Sequence, residues 1–207
     1  MNAFNRKVST LAQEVVVAAL GDSLTQGFGL PVEQGLVAQL QDWLDANGHN
    51  ARLINAGVSG DTTAGGLARV GWTLTPDVDA MIVALGGNDL LRGLQPAQAR
   101  ANIKGILEAA AAQDVEVLLV GMQAPGNYGP AYKAEFDAIY PELAARFGSL
   151  YQRSMFDGMS PAEGLPDPVT LAPLLQSDGI HPNAKGVARI IDVLGPNVAQ
   201  LIARAAE

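Results

Sequence analysis

The chain has no cysteine and only two histidines among its 207 residues, and its 13 lysines and arginines are outnumbered by 21 aspartates and glutamates. Without cysteine there is no disulfide framework and no thiolate chemistry, and cysteine usage says nothing about redox compartment. A formal charge of -8, with the basic residues scattered rather than striped, offers no footprint for a phosphate backbone, so nucleic acid is not an expected partner. Long apolar runs are missing too. Val15 to Leu20 is too short to span a bilayer, and Met1 to Glu14 has neither a secretory apolar segment nor a small-residue cleavage site. The expectation is a soluble chain with no transmembrane segment, residues 1–14 being a polar N-terminal segment and 15–207 a single domain. Aromatic residues are sparse, at 5%, so Trp43 and Trp72 are expected to serve packing alone.

What is present is an ordinary globular composition, 48% apolar and 16% charged, in a chain long enough to bury a substantial core. Short β-rich runs at Val15–Leu20, Arg52–Asn55, Ala80–Leu85 and Val115–Val120, with a weaker fifth near Ser149–Gln152, alternate with helical periodicity. The helical segments are Gln34–Asn47, Pro96–Ala112, Tyr132–Phe147 and Ala184–Ala205. Such alternation predicts an α/β fold with a central, mainly parallel sheet of about five strands. Met155 to Gln176 reads as a long Pro-rich loop. No heptad or apolar surface stripe asks for a partner, so a monomer is the default and a homo-oligomer stays open.

In open α/β sheets ligands gather beyond the carboxyl ends of the strands. Ser23 in Gly21-Asp-Ser-Leu24 follows the first strand, Gly60 in Asn55-Ala-Gly-Val-Ser-Gly-Asp61 the second, and Asn88 in Gly86-Gly-Asn-Asp89 the third. Near the other end stands Asp178-Gly-Ile-His181. A serine hydroxyl needs a histidine to take its proton, and that imidazole needs a carboxylate to set its tautomer. Ser23, His181 and Asp178 supply these types. Acyl transfer also needs donors aimed at the developing oxyanion, and the Ser23 and Gly60 amides with the Asn88 carboxamide would make a three-donor hole. Each motif alone also fits a simpler role. Asp22 and Ser23 suit a helix cap, the Gly60 and Asn88 segments ordinary turns, and His181 the start of a helix. His49, after a helix, reads as an exposed turn residue.

Together these four motifs, in this order, resemble the GDSL esterase/lipase family and its SGNH hydrolase branch, the four eponymous residues being Ser23, Gly60, Asn88 and His181. Gly57-Val-Ser-Gly-Asp-Thr-Thr63 with Gly66-Leu-Ala-Arg69, and Gly87-Asn-Asp with Leu91-Arg-Gly93, are most similar to bacterial arylesterases and the multifunctional thioesterase/lysophospholipase group. The resemblance implies a three-layer flavodoxin-like fold with helices on both faces, Ser23 as nucleophile, His181 as general base then acid, Asp178 orienting His181, and no cofactor or metal. It further implies periplasmic or secreted action, whereas a chain read without a leader would be cytoplasmic.

The expected activity is hydrolysis of carboxylic esters, aryl or short to medium acyl, with thioesters and lysophospholipids as further substrates to consider. Met122 to Tyr128, and Phe156, Met159, Leu165, Leu171 and Leu174, are candidates to line an acyl pocket and equally to cover the core. Two other readings compete. Asp22, Asp61, Asp89 and Asp178 suggest a Mg²⁺-dependent phosphohydrolase, though no Walker-type phosphate loop is present. A non-catalytic acyl- or glycan-binding module is compatible with the fold.

Overall fold

The apolar run beginning at Val15 forms β1 (Val15–Gly21), every residue of which is buried, as a central strand covered on both faces requires. The computed structural model describes residues 13–159 and 168–207. Most of the polar N-terminal segment, and Leu165, lie outside the described residues. Four further strands, β2 (Ala51–Gly57), β3 (Ala80–Ala84), β4 (Glu116–Val120) and β5 (Leu150–Gln152), complete an all-parallel sheet in the order β2-β1-β3-β4-β5. This is the flavodoxin-like order, with its switch point where β1 lies between β2 and β3.

Helices cover both faces. On one, α2 (Leu36–Ala46) packs against α9 (Ala184–Ala205); on the other, α3 (Thr63–Thr73) packs against α5 (Pro96–Ala111), which also meets α6 (Pro130–Asp137) and α7 (Ile139–Phe147). By length and composition α9 could cross a bilayer. Its apolar residues instead form one stripe, with Val187, Ile190, Leu194, Val198 and Leu201 buried against α2 and the sheet, the pattern of a core-facing helix.

The segment expected as one helix over Tyr132–Phe147 is two. Pro141 has no N–H to continue the ladder, so it sits in the first turn of α7, where that donor is not needed. Helix α3 has no counterpart in the periodicity, because Gly65, Gly66 and Gly71 lower its intrinsic preference. Gly66 packs closely: a β-carbon there would lie 2.2 Å from Leu85 Cδ1, so that side chain would have to shift. The Met155–Gln176 stretch carries helix α8 (Pro168–Leu171) and a 3₁₀ turn at Ala172–Leu174. Trp43 packs on the core and stacks with His49, whereas Trp72 is 86% exposed, so the packing role expected for Trp72 is not what the structure shows.

The register levels the strand ends. Gly21 pairs with Gly57 on one side and Ala84 on the other, so the turns after β1, β2 and β3 start side by side.

Candidate active site

Asp22 leaves β1 and caps α1 (Ser23–Gln26), its Oδ1 accepting from Leu24 N at 3.0 Å. The cap reading of Asp22 is therefore correct, and it places Ser23 as the first residue of that helix, where a backbone N–H has no intrahelical acceptor.

The histidine arrives from the far end of the chain. Asn183 caps α9 by accepting from Lys185 N and Gly186 N, and its Nδ2 donates to the carbonyls of Pro173 and Leu175, both at 3.0 Å. Gln176 N donates to His181 O at 2.7 Å. Within the loop, Asp178 Oδ1 accepts from Ile180 N at 2.9 Å and His181 N at 3.0 Å, while Oδ2 lies 2.7 Å from His181 Nδ1. The Ile180 N–H, then the His181 imidazole and N–H, hold the Asp178 carboxyl down at about 2. On the other edge of the ring, His181 Nε2 is 2.9 Å from Ser23 Oγ. Serine, imidazole and carboxylate thus stand in one hydrogen-bonded line.

The turn after β2 carries Gly60 at φ +80°, a left-handed conformation that favours glycine. It is fastened twice. Arg92, just past α4 (Gly87–Leu91), donates to Gly60 O at 2.7 Å. Arg69 on α3 meets Asp61 Oδ2 at 2.6 Å and donates to Ala56 O and Gly21 O at 2.7 and 2.8 Å, tying this turn to the ends of β2 and β1. Asn88 lies on α4, beside the fully buried Asp89. The Asp89 carboxylate accepts from Thr63 N and Oγ1 at 2.8 and 2.6 Å, and Asn102 Nδ2 donates to Thr63 Oγ1 at 2.9 Å, which locks α4 to α3 and α5.

Ser23, Gly60, Asn88 and His181 line one cleft of about 490 Å³. Met122, Gln123, Pro125, Asn127 and Tyr128 form part of its wall, as expected for that loop, which Asp137 holds through Ala124 N at 2.8 Å. Of the apolar residues suggested from the Met155–Gln176 stretch, Phe156 lines the cleft, while Met159, Leu171 and Leu174 belong to or pack on the core. A second cavity of about 510 Å³ opens at the opposite edge of the sheet, lined by Glu116, Gly148 and Arg204, and contains none of these groups.

The four aspartates do not converge on one point. Asp61 pairs with Arg69, Asp89 with Thr63, Asp178 with His181, and Asp22 with Leu24 and Asn88; no group of three metal-ligating side chains occurs among the described residues. Sequence reasoning misses the partners that position the site. Asn88 Nδ2 donates to Asp22 Oδ2 at 3.3 Å, and the Phe28 ring lies 4.7 Å from that of His181. Asp22, Arg69 and Arg92 lay within motifs already singled out, though without these pairings, whereas Phe28 lay in none. Burial pushes the Asp22 carboxyl from 3.8 up to about 6, against the Leu24 N–H, the His181 charge and the Asn88 carboxamide, which favour its ionised form.

A parallel α/β sheet with a serine, an imidazole and a carboxylate in line at its carboxyl edge has the layout of an acyl-transferring hydrolase. Residues 19–189 match the model of the GDSL-like Lipase/Acylhydrolase family, and the chain belongs to that family. Esterase TesA of Pseudomonas aeruginosa is 38% identical over 192 residues, covering 92% of this chain and 90% of that protein. The thioesterase 1/protease 1/lysophospholipase L1 of Escherichia coli is 35% identical over 185 residues, covering 88% and 83%. Among solved structures, AlinE4, an SGNH-hydrolase family esterase, matches with a TM-score of 0.73 at 42% identity, covering 92% of this chain and 98% of that one. The protein is a carboxylic ester hydrolase.

Proposed function

We propose that the enzyme hydrolyses aryl esters and short to medium acyl esters through an acyl-enzyme on Ser23. One observation carries the reading: Ser23 Oγ is 2.9 Å from His181 Nε2, and His181 Nδ1 is 2.7 Å from Asp178 Oδ2. With its Nδ1 proton donated to Asp178, the imidazole presents a lone pair at Nε2 to the serine hydroxyl. As Oγ attacks the ester carbonyl, Nε2 takes the hydroxyl proton and then returns it to the departing oxygen. Water repeats the sequence on the acyl-enzyme and releases the acid.

Negative charge on the carbonyl oxygen is met by the Ser23 N–H, the Gly60 N–H and Asn88 Nδ2. The amide of Asn88 has two hydrogens, so one can serve Asp22 and the other the oxyanion. A cleft lined by Ser23, Asn88 and His181 together with Leu24, Leu90, Leu91, Phe28 and Phe156 suits an ester with an apolar acyl chain.

The test is nitrophenol release from p-nitrophenyl acetate and butyrate by the native chain and by Ser23→Ala, both in chelator. A fall in turnover of roughly 10⁴-fold or more is expected for a removed nucleophile. Equal rates would make Ser23 a structural residue, and turnover confined to long-chain lysophospholipids would overturn the substrate assignment.

A further inference from the structure

Phe28 is built into the mouth of the cleft. Its ring lies against the His181 imidazole with centroids 4.7 Å apart and planes tilted by 40°, yet it remains 49% exposed. A large aromatic left half in water contributes little of its area to the core. Its position is nonetheless fixed. Gln176 Nε2 donates to Phe28 O at 2.8 Å and to Pro182 O at 3.0 Å, and Gln176 N donates to His181 O at 2.7 Å. One residue thus fastens the backbone that carries the phenyl ring and the backbone that carries the imidazole.

Acyl transfer divides this cleft. In the tetrahedral intermediate the former carbonyl carbon bears Ser23 Oγ, the oxyanion, the acyl chain and the leaving oxygen. The proton taken by His181 Nε2 must pass to that leaving oxygen, which therefore has to come within about 2.6–3.2 Å of Nε2. Whatever the oxygen carries then extends beside Phe28, the aromatic ring that lies against the imidazole, with Ile180 also in the cleft lining. Leu91 on α4 and Tyr128, whose ring lies close to Gly93 just beyond that helix, also line the cleft. Leu91 shares its helix with Asn88, the proposed oxyanion donor, and these groups are left for the acyl chain.

We propose that Phe28 is the specificity-determining residue for the leaving group, its ring receiving a flat aromatic group so that esters of phenols are preferred over esters of saturated alcohols. The inference rests on the Ser23 acyl-enzyme reading. In acylation the Oγ–C bond forms, the C–O bond to the phenol breaks, and the proton on Nε2 passes to the phenol oxygen. Aromatic pairs in offset or edge-to-face contact favour binding beyond their buried area by about 3- to 10-fold.

The experiment compares phenyl acetate with cyclohexyl acetate, two leaving groups of similar size, by kcat/KM, which runs through the step in which the leaving group departs. Setting the ratio in a variant against that of the native enzyme cancels the intrinsic reactivity of the esters. In Phe28→Ala and in Phe28→Leu, which keeps apolar bulk, the phenyl-to-cyclohexyl ratio is expected to fall about 3- to 10-fold. The ethyl hexanoate to ethyl acetate ratio should stay at the native value in both, whereas Leu91→Ala should change it. Equal losses on phenyl and cyclohexyl acetate would mean that the ring only seats His181. A phenyl preference lost in Leu91→Ala rather than in Phe28→Ala would put the leaving group against Leu91. Either result overturns the assignment. Failure of the underlying reading is distinguishable, because native enzyme quenched during phenyl acetate turnover would then carry no acetyl mass on Ser23.

Discussion

Asn88 Nδ2 donates to Oδ2 of Asp22 at 3.3 Å, joining the turn after β3 to the turn after β1. Asp22 is 3% exposed and also caps the helix that Ser23 opens, so one carboxylate fixes the Ser23 backbone and the orientation of the Asn88 carboxamide, the proposed nucleophile and oxyanion donor. Buried charge beside a reaction centre is costly to the fold and is expected to reveal itself in pH dependence.

Replacing Asn88 by alanine removes one of the proposed oxyanion donors. Turnover should fall roughly 100- to 1000-fold, or about 2.7–4 kcal/mol of transition-state stabilisation, with KM little changed because the contact is made chiefly in the transition state. Asp22 would lose a partner that favours its ionised form, so its titration should move further upward, read by carboxyl NMR. A wild-type kcat in Asn88→Ala would remove the carboxamide from the oxyanion hole.

Asp22→Asn separates stability from activity. The folded-state pKa of Asp22 is raised from 3.8 to about 6, so its contribution to stability is fully present below about pH 3.8 and is lost as pH rises through about 6. Ionisation then costs on the order of 3 kcal/mol at neutral pH. Asparagine still caps α1 but cannot ionise, so the variant should melt higher at pH 8, the gain fading toward pH 4. Its amide would face that of Asn88, donor against donor, and turnover should fall by up to the roughly 100-fold of a lost donor. Melting curves that differ from native by the same amount at both pH values would contradict the assignment.

The sheet is legible in the sequence because β1, β3 and β4 are buried on both faces and so read as unbroken apolar runs, and the flavodoxin-like connectivity follows from their alternation with helices. Gly21-Asp-Ser-Leu24, the Gly60 turn and the Asn88 turn are legible because they stand directly after strands, and Asp178-Gly-Ile-His181 because it joins a carboxylate to one of only two histidines. Helix α3 is not, since Gly65, Gly66 and Gly71 lower its local preference, and of the three only Gly66 lies against Leu85. The partners Asp22–Asn88 and Phe28–His181 are separated by 66 residues and by most of the chain length respectively, and no periodicity encodes which loops meet. Trp72 breaks the expectation that the tryptophans serve packing alone, since it is 86% exposed.

Asp178→Asn tests the line through His181. The Asp178 carboxyl, held at about 2 by the Ile180 N–H and the His181 side chain, remains ionised throughout any practical assay, so a loss of activity at mild acidity cannot arise from it. Asparagine can keep the backbone bonds from Ile180 and His181, but its amide donates where Nδ1 must donate, favouring the tautomer with its proton on Nε2. A drop in kcat of about 10⁴-fold is expected, as for the equivalent change in other serine hydrolases. Melting should barely move, because Asp178 lies in an exposed loop. A loss of less than tenfold would show that the imidazole is oriented by other contacts, such as the Phe28 ring.

Arg69 provides the remaining test, because it touches neither Ser23 nor His181 yet fastens the ground on which they stand. Its guanidinium reaches Asp61, Ala56 O and Gly21 O at once, a three-way fork that a lysine ammonium cannot reproduce. Arg69→Lys should lose roughly 2–3 kcal/mol from these charge-assisted bonds, lowering the melting temperature of a domain this size by roughly 5–10 °C. A purely structural residue would stop there, with turnover unaffected well below the melting point. If Arg69 instead positions the Gly60 N–H, kcat should fall while KM holds, since that donor is worth most when charge develops on the carbonyl oxygen. Low concentrations of guanidinium ion should then restore part of the turnover of Arg69→Ala. Wild-type kcat at 25 °C in Arg69→Lys, despite the lower melting point, would show that the Gly60 turn holds its conformation through Arg92 alone.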